Sequence, residues 1–294
     1  MIGMSSTWFA TRGFGIRESV ERCFALGFEL AEVGAGHNYE PDAVETVLKL
    51  KRKYPAKRFT IHALFPPLRP QQRKSYAMNL SDEKEHAKIL EVAAGMFDLT
   101  NKIGADVVGM HGGYAGEVAW VPDRGGFDTL KIRKPIQDDV AEKNMMSILE
   151  KLTVLAEEHK LKLAIEVCPF DASRPLLSDP EIFRKIFSRI KSENLGMLLD
   201  VGHAHVSAAA KGFDPYDFTA RLKEKIFELH LHDVVDGKDH NLVGAGEIDF
   251  ARHFKIIGRK HLESIPLVFE YTNLVSEEEA LRGKGHVEGI LQSL

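Results

Sequence analysis

Short apolar runs alternate along the chain with longer segments whose apolar residues recur at three- and four-residue spacing. The runs Ile2–Ser5, Phe28–Val33, Arg58–Ala63, Asp106–His111, Lys162–Glu166, Leu195–Asp200, Ile226–His230 and Pro266–Phe269 each predict a strand. Between them, Pro41–Tyr54, Ser81–Ile103, Gln137–His159, Asp179–Lys191, Asp217–Lys223 and Phe250–Arg259 carry helical periodicity. Ser81 followed by Asp82, Glu83 and Lys84 reads as a capped helix start, because a hydroxyl can accept an orphan amide and acids suit the first turn. Gly27, Gly104 and Gly196 stand just before strands, where a preceding helix would end on glycine. Eight strand–helix units in 294 residues match a single-domain (β/α)8 TIM barrel spanning 1–294. A doubly wound open sheet is the rival. It would carry a glycine-rich phosphate loop after an early strand, and neither GxGxxG nor GxxxxGK[ST] occurs.

Three connections are long: Leu64–Leu80, Gly112–Pro135 and Leu231–Ile248. All follow a strand, so in a barrel they share the rim on which active sites are built. Charge adds an exclusion. Lys plus Arg number 39 against 43 Asp plus Glu, a net charge of −4, without the basic excess of a nucleic-acid binder. Arg69, Arg73, Lys74, Arg124, Lys131, Arg133 and Lys134 are nevertheless concentrated in two of those loops and could form a local basic rim. Two cysteines, Cys23 and Cys168, exclude a disulfide framework, and no apolar run is long enough to span a bilayer. No signal-peptide pattern opens the chain, so a cytoplasmic protein without a membrane partner is expected.

Histidine is unusually frequent, with 13 copies. His62 falls near the end of the third predicted strand and His111 ends the fourth. Glu166 ends the fifth, Asp200 the sixth with His203 three residues on, His230 and His232 the seventh, and Glu270 the eighth. Taken singly each has a plain reading: a hydrogen-bonded structural histidine, a Glu166–Lys162 pair, an Asp200 helix cap. Repetition at six successive strand ends points instead to convergence on one pocket. Carboxylates and neutral imidazoles there form a site for a divalent ion such as Zn, Mn, Co or Mg, with room for a second through His62 and His111. Buried acids without a cation would oppose one another's ionisation. A second cluster, Gly237–Phe250, places Asp239 and His240 in the loop after the seventh strand, and Asp249 at a helix N-cap. There His240 either reaches the pocket or belongs to a plain loop. His37, His86, His159, His253, His261 and His286 are expected at the surface, and Cys168 as a packing thiol.

The segments IHA, HGG, IEV, DVGHAH, LHLHD, DGKDHNLVGAGEIDF and FEY, in that order from about His62 to Glu270, resemble the xylose-isomerase-like TIM-barrel superfamily, which holds sugar isomerases and epimerases together with endonuclease IV. The resemblance implies a divalent metal held by Glu166, Asp200, His230 and Glu270, with His203 beside it touching substrate. In the endonuclease branch His62 and His111 would also bind metal, and a third ion would use His203, His240 and an aspartate two residues earlier. That place is Lys238, which donates only. The epimerase branch departs too: its second substrate-binding glutamate and its arginine correspond to Ala172 and Asp236.

The expected function is a metal-dependent isomerase or epimerase of a small sugar, polyol or sugar phosphate, passing through an enediolate. Glu166 and Glu270 would be the catalytic acid and base, and His203, His232, His240, His62 and His111 would contact substrate. The alternative is an endonuclease IV-like phosphodiesterase acting on abasic DNA. Oligomeric state is not legible, and a homo-oligomer is left open.

Overall fold

The computed structural model describes residues 1–34, 36–69, 78–105, 107–122 and 128–294. Asp106, the expected first residue of the fourth strand, and Arg73, Lys74 and Arg124 of the basic loops lie outside the described residues.

Eight parallel strands close into a barrel: β1 (Ile2–Ser5), β2 (Leu30–Val33), β3 (Arg58–His62), β4 (Val107–Met110), β5 (Lys162–Glu166), β6 (Leu195–Asp200), β7 (Ile226–Leu231) and β8 (Leu267–Phe269). Each pairs with its chain neighbours, and β8 returns to β1 through Ile2↔Leu267 and Met4↔Phe269. Strands buried on both faces read as near-continuous apolar runs, which is why they stand out in the sequence. An outer layer of helices packs against them, including Ile16–Ala25, Ala43–Lys53, His86–Ile103, Asp138–His159, Pro180–Arg189, Val201–Lys211, Phe250–Ile257 and Glu277–Ser293. Their apolar stripes meet the outward faces of the strands in one continuous core holding Phe9, Phe28, Phe59, Phe97, Phe183, Phe254 and Phe269.

Several local expectations are revised. The helix expected from Ser81 begins at His86 after a 3-10 turn at Glu83–Glu85. Ser81 is buried and donates to the Tyr114 carbonyl, while Asp82 accepts from Lys84 N. Gly27 and Gly104 do adopt the left-handed conformation, whereas Gly196 lies inside β6, where a Cβ would sit 2.4 Å from the Phe227 ring. Asp249 caps its helix as expected, accepting from Arg252 N at 2.9 Å. Two of the long loops contain antiparallel hairpins: Gly116–Pro122 with Asp128–Pro135, and Asp233–Val235 with Lys238–Asn241. Both follow barrel strands and so project from the C-terminal rim. His37, His86 and His253 are buried rather than at the surface. Each has a partner, His37 Nε2 at Ser6, His86 at the Leu80 carbonyl and His253 at Thr219.

The barrel interior is polar where such barrels usually hold branched apolar residues. Ser5, Glu32, Thr60, Glu228 and His230 are all buried there. Val107, Ala164, Leu198 and Phe227 form a small separate apolar cluster.

Candidate metal centre

The inward-facing ends of β3, β5, β6, β7 and β8 bring His62, Glu166, Asp200, His230 and Glu270 together at one mouth of the barrel. Parallel pairing does this directly: Asp200 is the register partner of His230, and His62 that of Gly109. Gly109 is required by close approach, since a Cβ there would lie 2.9 Å from the His62 ring. Ligand atoms of Glu166, Asp200, His230 and Glu270 all lie within 4.8 Å of one another. His62, His111 and Glu166 form a second such group, and His203, His232 and His240 a third.

Glu166 is shared by the first two groups. Its Oε2 lies 2.7 Å from both His62 Nε2 and His111 Nε2. Its Oε1 lies 3.5 Å from His203 Nδ1 and 3.8 Å from His230 Nδ1. Lys162, at the far end of the same strand, stands over the Phe227 ring and takes no part. Asp200 serves two ends of one structure. Its Oδ1 accepts from His203 N at 2.7 Å and caps helix Val201–Lys211, while Oδ2 accepts from His232 Nε2 at 2.8 Å and lies 3.8 Å from His230 Nδ1. The helix-cap and pocket readings of Asp200 therefore coexist.

The imidazoles are anchored from outside the pocket. His62 Nδ1 donates to the Ala63 carbonyl at 3.0 Å, His203 Nδ1 to the Val167 carbonyl at 3.0 Å and His240 Nδ1 to the Glu270 carbonyl at 3.2 Å. His230 uses its other nitrogen: Nε2 donates to Glu32 Oε2 at 2.9 Å. In each ring the second nitrogen then points at carboxylates or at another ring nitrogen. His203 Nε2 and His240 Nε2 face each other at 3.4 Å, with Asp239 Oδ2 3.7 Å from the former. A neutral imidazole with one nitrogen protonated presents a lone pair from the other. Lone pairs converging on carboxylate oxygens repel unless a proton or a cation lies between them. Donor chemistry and spacing thus fit a divalent ion with nitrogen and oxygen ligands.

Protonation shows the same tension. Burial opposes charging His62 and His203, yet the adjoining acids win. Glu166 lifts His62 to about 9, and Asp200 with Glu166 lifts His203 to about 10. Burial likewise opposes ionisation of Glu166 and Glu270, but the imidazoles hold both below the usual carboxylate range. Glu228 is the exception. Burial, and then the neighbouring Glu32, pushes it up to about 8.

His232 is fully buried and both of its nitrogens are engaged, with Nδ1 accepting from His240 N at 2.8 Å. It leans on Gly202, where a Cβ would fall 2.0 Å from its Cε1. The ring of His240 stacks on it at 4.1 Å, so the hairpin brings His240 over the pocket. His111 is the most open of the group, with 44% of its side chain exposed. Cys168 is buried, and its thiol is raised well above its ordinary value by burial and by Glu166.

One participant, Glu32, was not marked out by the linear pattern. Glu32 is the penultimate residue of β2, in LAEV, and its signal was a carboxylate close to a strand end one strand earlier. His205 stands in DVGHAH and pairs with His253 at 3.3 Å outside the pocket.

Residues 20–286 match the family model described as xylose isomerase-like TIM barrel. An uncharacterized protein of Methanocaldococcus jannaschii is 25% identical over 303 residues, covering 96% of this chain and 92% of that protein. An inosose isomerase of Bacillus licheniformis is 25% identical over 221 residues, covering 69% of each. Among solved structures, a D-tagatose 3-epimerase-like protein superposes with a TM-score of 0.73 at 21% identity, over 99% of this chain and 97% of that one. The IolI protein with a bound zinc atom superposes with a TM-score of 0.71 at 18% identity, over 99% and 98%. Among the described residues no helix is long and apolar enough to cross a membrane.

Proposed function

The chain belongs to the xylose isomerase-like TIM-barrel family, and from that premise we propose that it is a divalent-metal-dependent isomerase or epimerase of a small sugar, polyol or sugar phosphate. One observation carries the reading: four buried or half-buried donors from Glu166, Asp200, His230 and Glu270 converge within 4.8 Å at the barrel mouth. An inosose isomerase is among the relatives, and the fold neighbours include a D-tagatose 3-epimerase-like protein and the IolI protein with a bound zinc atom.

Glu166, Asp200, His230 and Glu270 would hold the ion. When bound it would supply Lewis-acid polarisation to two neighbouring substrate oxygens. Glu270, with a quarter of its side chain exposed, is the carboxylate best placed to take a proton from a substrate carbon next to a carbonyl. Glu166 is the candidate to deliver a proton of its own back to carbon, the abstracted one staying on Glu270 until it exchanges with water, with an enediolate between the two transfers. His203 and His240 would orient substrate oxygens through Nε2, and the open ring of His111 would meet the part of the substrate nearest solvent. His62 either joins them in contacting substrate or, with His111 and Glu166, holds a second ion. His232 is better suited to orienting Asp200 and the His240 backbone, because neither of its nitrogens is free.

The test is carbon-bound hydrogen exchange. Protein stripped with a chelator and reloaded with zinc, manganese or cobalt is incubated in D2O with a panel of ketoses, inososes and their phosphates, and deuterium wash-in is followed by NMR. The proposal expects metal-dependent exchange next to a carbonyl that is lost in Glu270→Gln. Absence of exchange across the panel in protein that has bound metal overturns it.

A second reading, a multi-ion phosphodiesterase, is favoured by one observation, the His62–His111–Glu166 group beside the first. Cleavage of a synthetic abasic duplex by metal-loaded protein, with no exchange on any sugar, would select it.

A further inference from the structure

We propose that Glu32 is the positioning residue of this centre, holding His230 so that Nδ1 rather than Nε2 is the ligating nitrogen; the inference rests on reading the barrel mouth as a metal site. His230 can offer one lone pair. Its Nε2 is 2.9 Å from Glu32 Oε2, an oxygen that can only accept when ionised, so the ring proton belongs there. Nδ1 is then directed at Glu270 Oε2 at 3.1 Å, with Glu166 Oε1 and Asp200 Oδ2 each at 3.8 Å.

Glu32, Glu228 and His230 also lie close enough together to suggest a cation site of their own. That site would need the Nε2 lone pair, and a neutral ring cannot serve both sides. The side with three further carboxylates at the mouth is the better donor set, which leaves Glu32 as the ring's support. His62, His203 and His240 are held instead by backbone carbonyls, whose positions follow from the strands. For His230 the support is a side chain and can be removed without altering the backbone. A carboxylate behind a ligating imidazole also makes the facing nitrogen a stronger donor.

Glu32 is itself built in. It is 1% exposed, and its carbonyl accepts from Ser6 N at 2.9 Å and Ser6 Oγ at 2.6 Å. Buried His37 backs the Ser6 hydroxyl at 2.8 Å. A line of contacts thus runs from His37 through Ser6 and Glu32 to His230.

The experiment compares wild type, Glu32→Leu and Glu32→Gln by zinc affinity, measured by competition with a chromophoric chelator, with circular dichroism as the check on folding. Loss of an outer partner of a ligating histidine costs roughly 10–100-fold in metal affinity, and that loss is expected for Glu32→Leu. Glu32→Gln, which keeps a carbonyl oxygen facing Nε2, should recover most of it. A folded Glu32→Leu protein that binds zinc as tightly as wild type overturns the proposal. Should Glu32→Leu not fold, the 15N spectrum of the zinc-loaded wild type decides: a protonated Nε2 on His230 supports the assignment, and a protonated Nδ1 overturns it. Wild-type protein that takes up no divalent ion fails the metal reading itself, a result separable from equal binding by wild type and variant.

Discussion

Replacing Glu166 with glutamine keeps the side chain's shape and removes its charge at the point where two groups of ligands meet. In protein stripped of metal, that charge holds His62 at about 9 against burial, compared with an ordinary value of 6.5. The difference corresponds to about 3 kcal/mol of preference for the protonated ring. In Glu166→Gln the burial penalty remains while its main opponent is gone, so His62 should titrate below 6.5. For the metal, the substitution removes one of four donors and leaves buried groups without their charged partner. Breaking a buried charged contact costs about 3–5 kcal/mol, so zinc should bind roughly 100- to 4,000-fold more weakly. Isothermal titration with zinc measures the second quantity, and NMR titration of the histidine ring protons measures the first. Both would be read on protein whose circular dichroism matches wild type. If Glu166→Gln binds zinc with unchanged affinity and stoichiometry, or if His62 still titrates near 9, the centre is not organised around Glu166.

Half-buried His205 and buried His253 are lowered by burial to about 4 and about 3. Their unfolded forms take up protons near 6.5, so stability present above that value should fall from about pH 6.5 toward 3, by up to about 1.4 kcal/mol per pH unit for each ring. Melting temperature measured against pH should show this slope, and it should flatten in His253→Gln; an unchanged slope would refute the assignment. Asp233 accepts from the backbone N–H groups of Val234, Gly244, Gly246 and Ile248 at 2.9–3.1 Å, which ties down the loop following His240. Asp233→Asn should lower stability by about 1–3 kcal/mol in urea unfolding and speed amide exchange across 242–248. Gly202→Ala would drive a Cβ into the His232 ring and should cost about 1–3 kcal/mol while loosening the His232–Asp200 bond, which a denaturation curve and a crystal structure of the variant would check.

The barrel stores its polarity unusually deep. Glu32 and Glu228 occupy interior positions that branched apolar residues fill in most barrels of this kind. Neither oxygen of Glu228 has a hydrogen-bond partner among the described residues, and Thr60 Oγ1 beside it has none either. Apolar substitution of a buried, unpartnered acid is often neutral or stabilising, so Glu228→Leu should not lower, and is expected to raise, the melting temperature.

Much of this protein was determined by the order of residue types along the chain. Eight buried strands announce themselves as mainly apolar runs because a parallel sheet is covered on both faces, the run being broken only by inward residues such as Glu32, Thr60 and Glu228. The rule that such strands point the same way then places His62, Glu166, Asp200, His230 and Glu270 on one rim before any coordinate is known. Caps such as Asp249 are legible for the same reason: their partners lie within three residues. What the linear pattern could not supply was anything depending on distance across the barrel. That His37, His86 and His253 are buried follows from packing against elements far away in the chain. Glu32 passed unnoticed because a lone carboxylate in LAEV looks like any strand residue until closure of the barrel sets it 2.9 Å from His230, 198 positions later. The direction of each imidazole, and so which nitrogen can donate, was decided by tertiary structure alone, since a ring's second nitrogen takes its partner from whatever strand or loop the fold brings beside it.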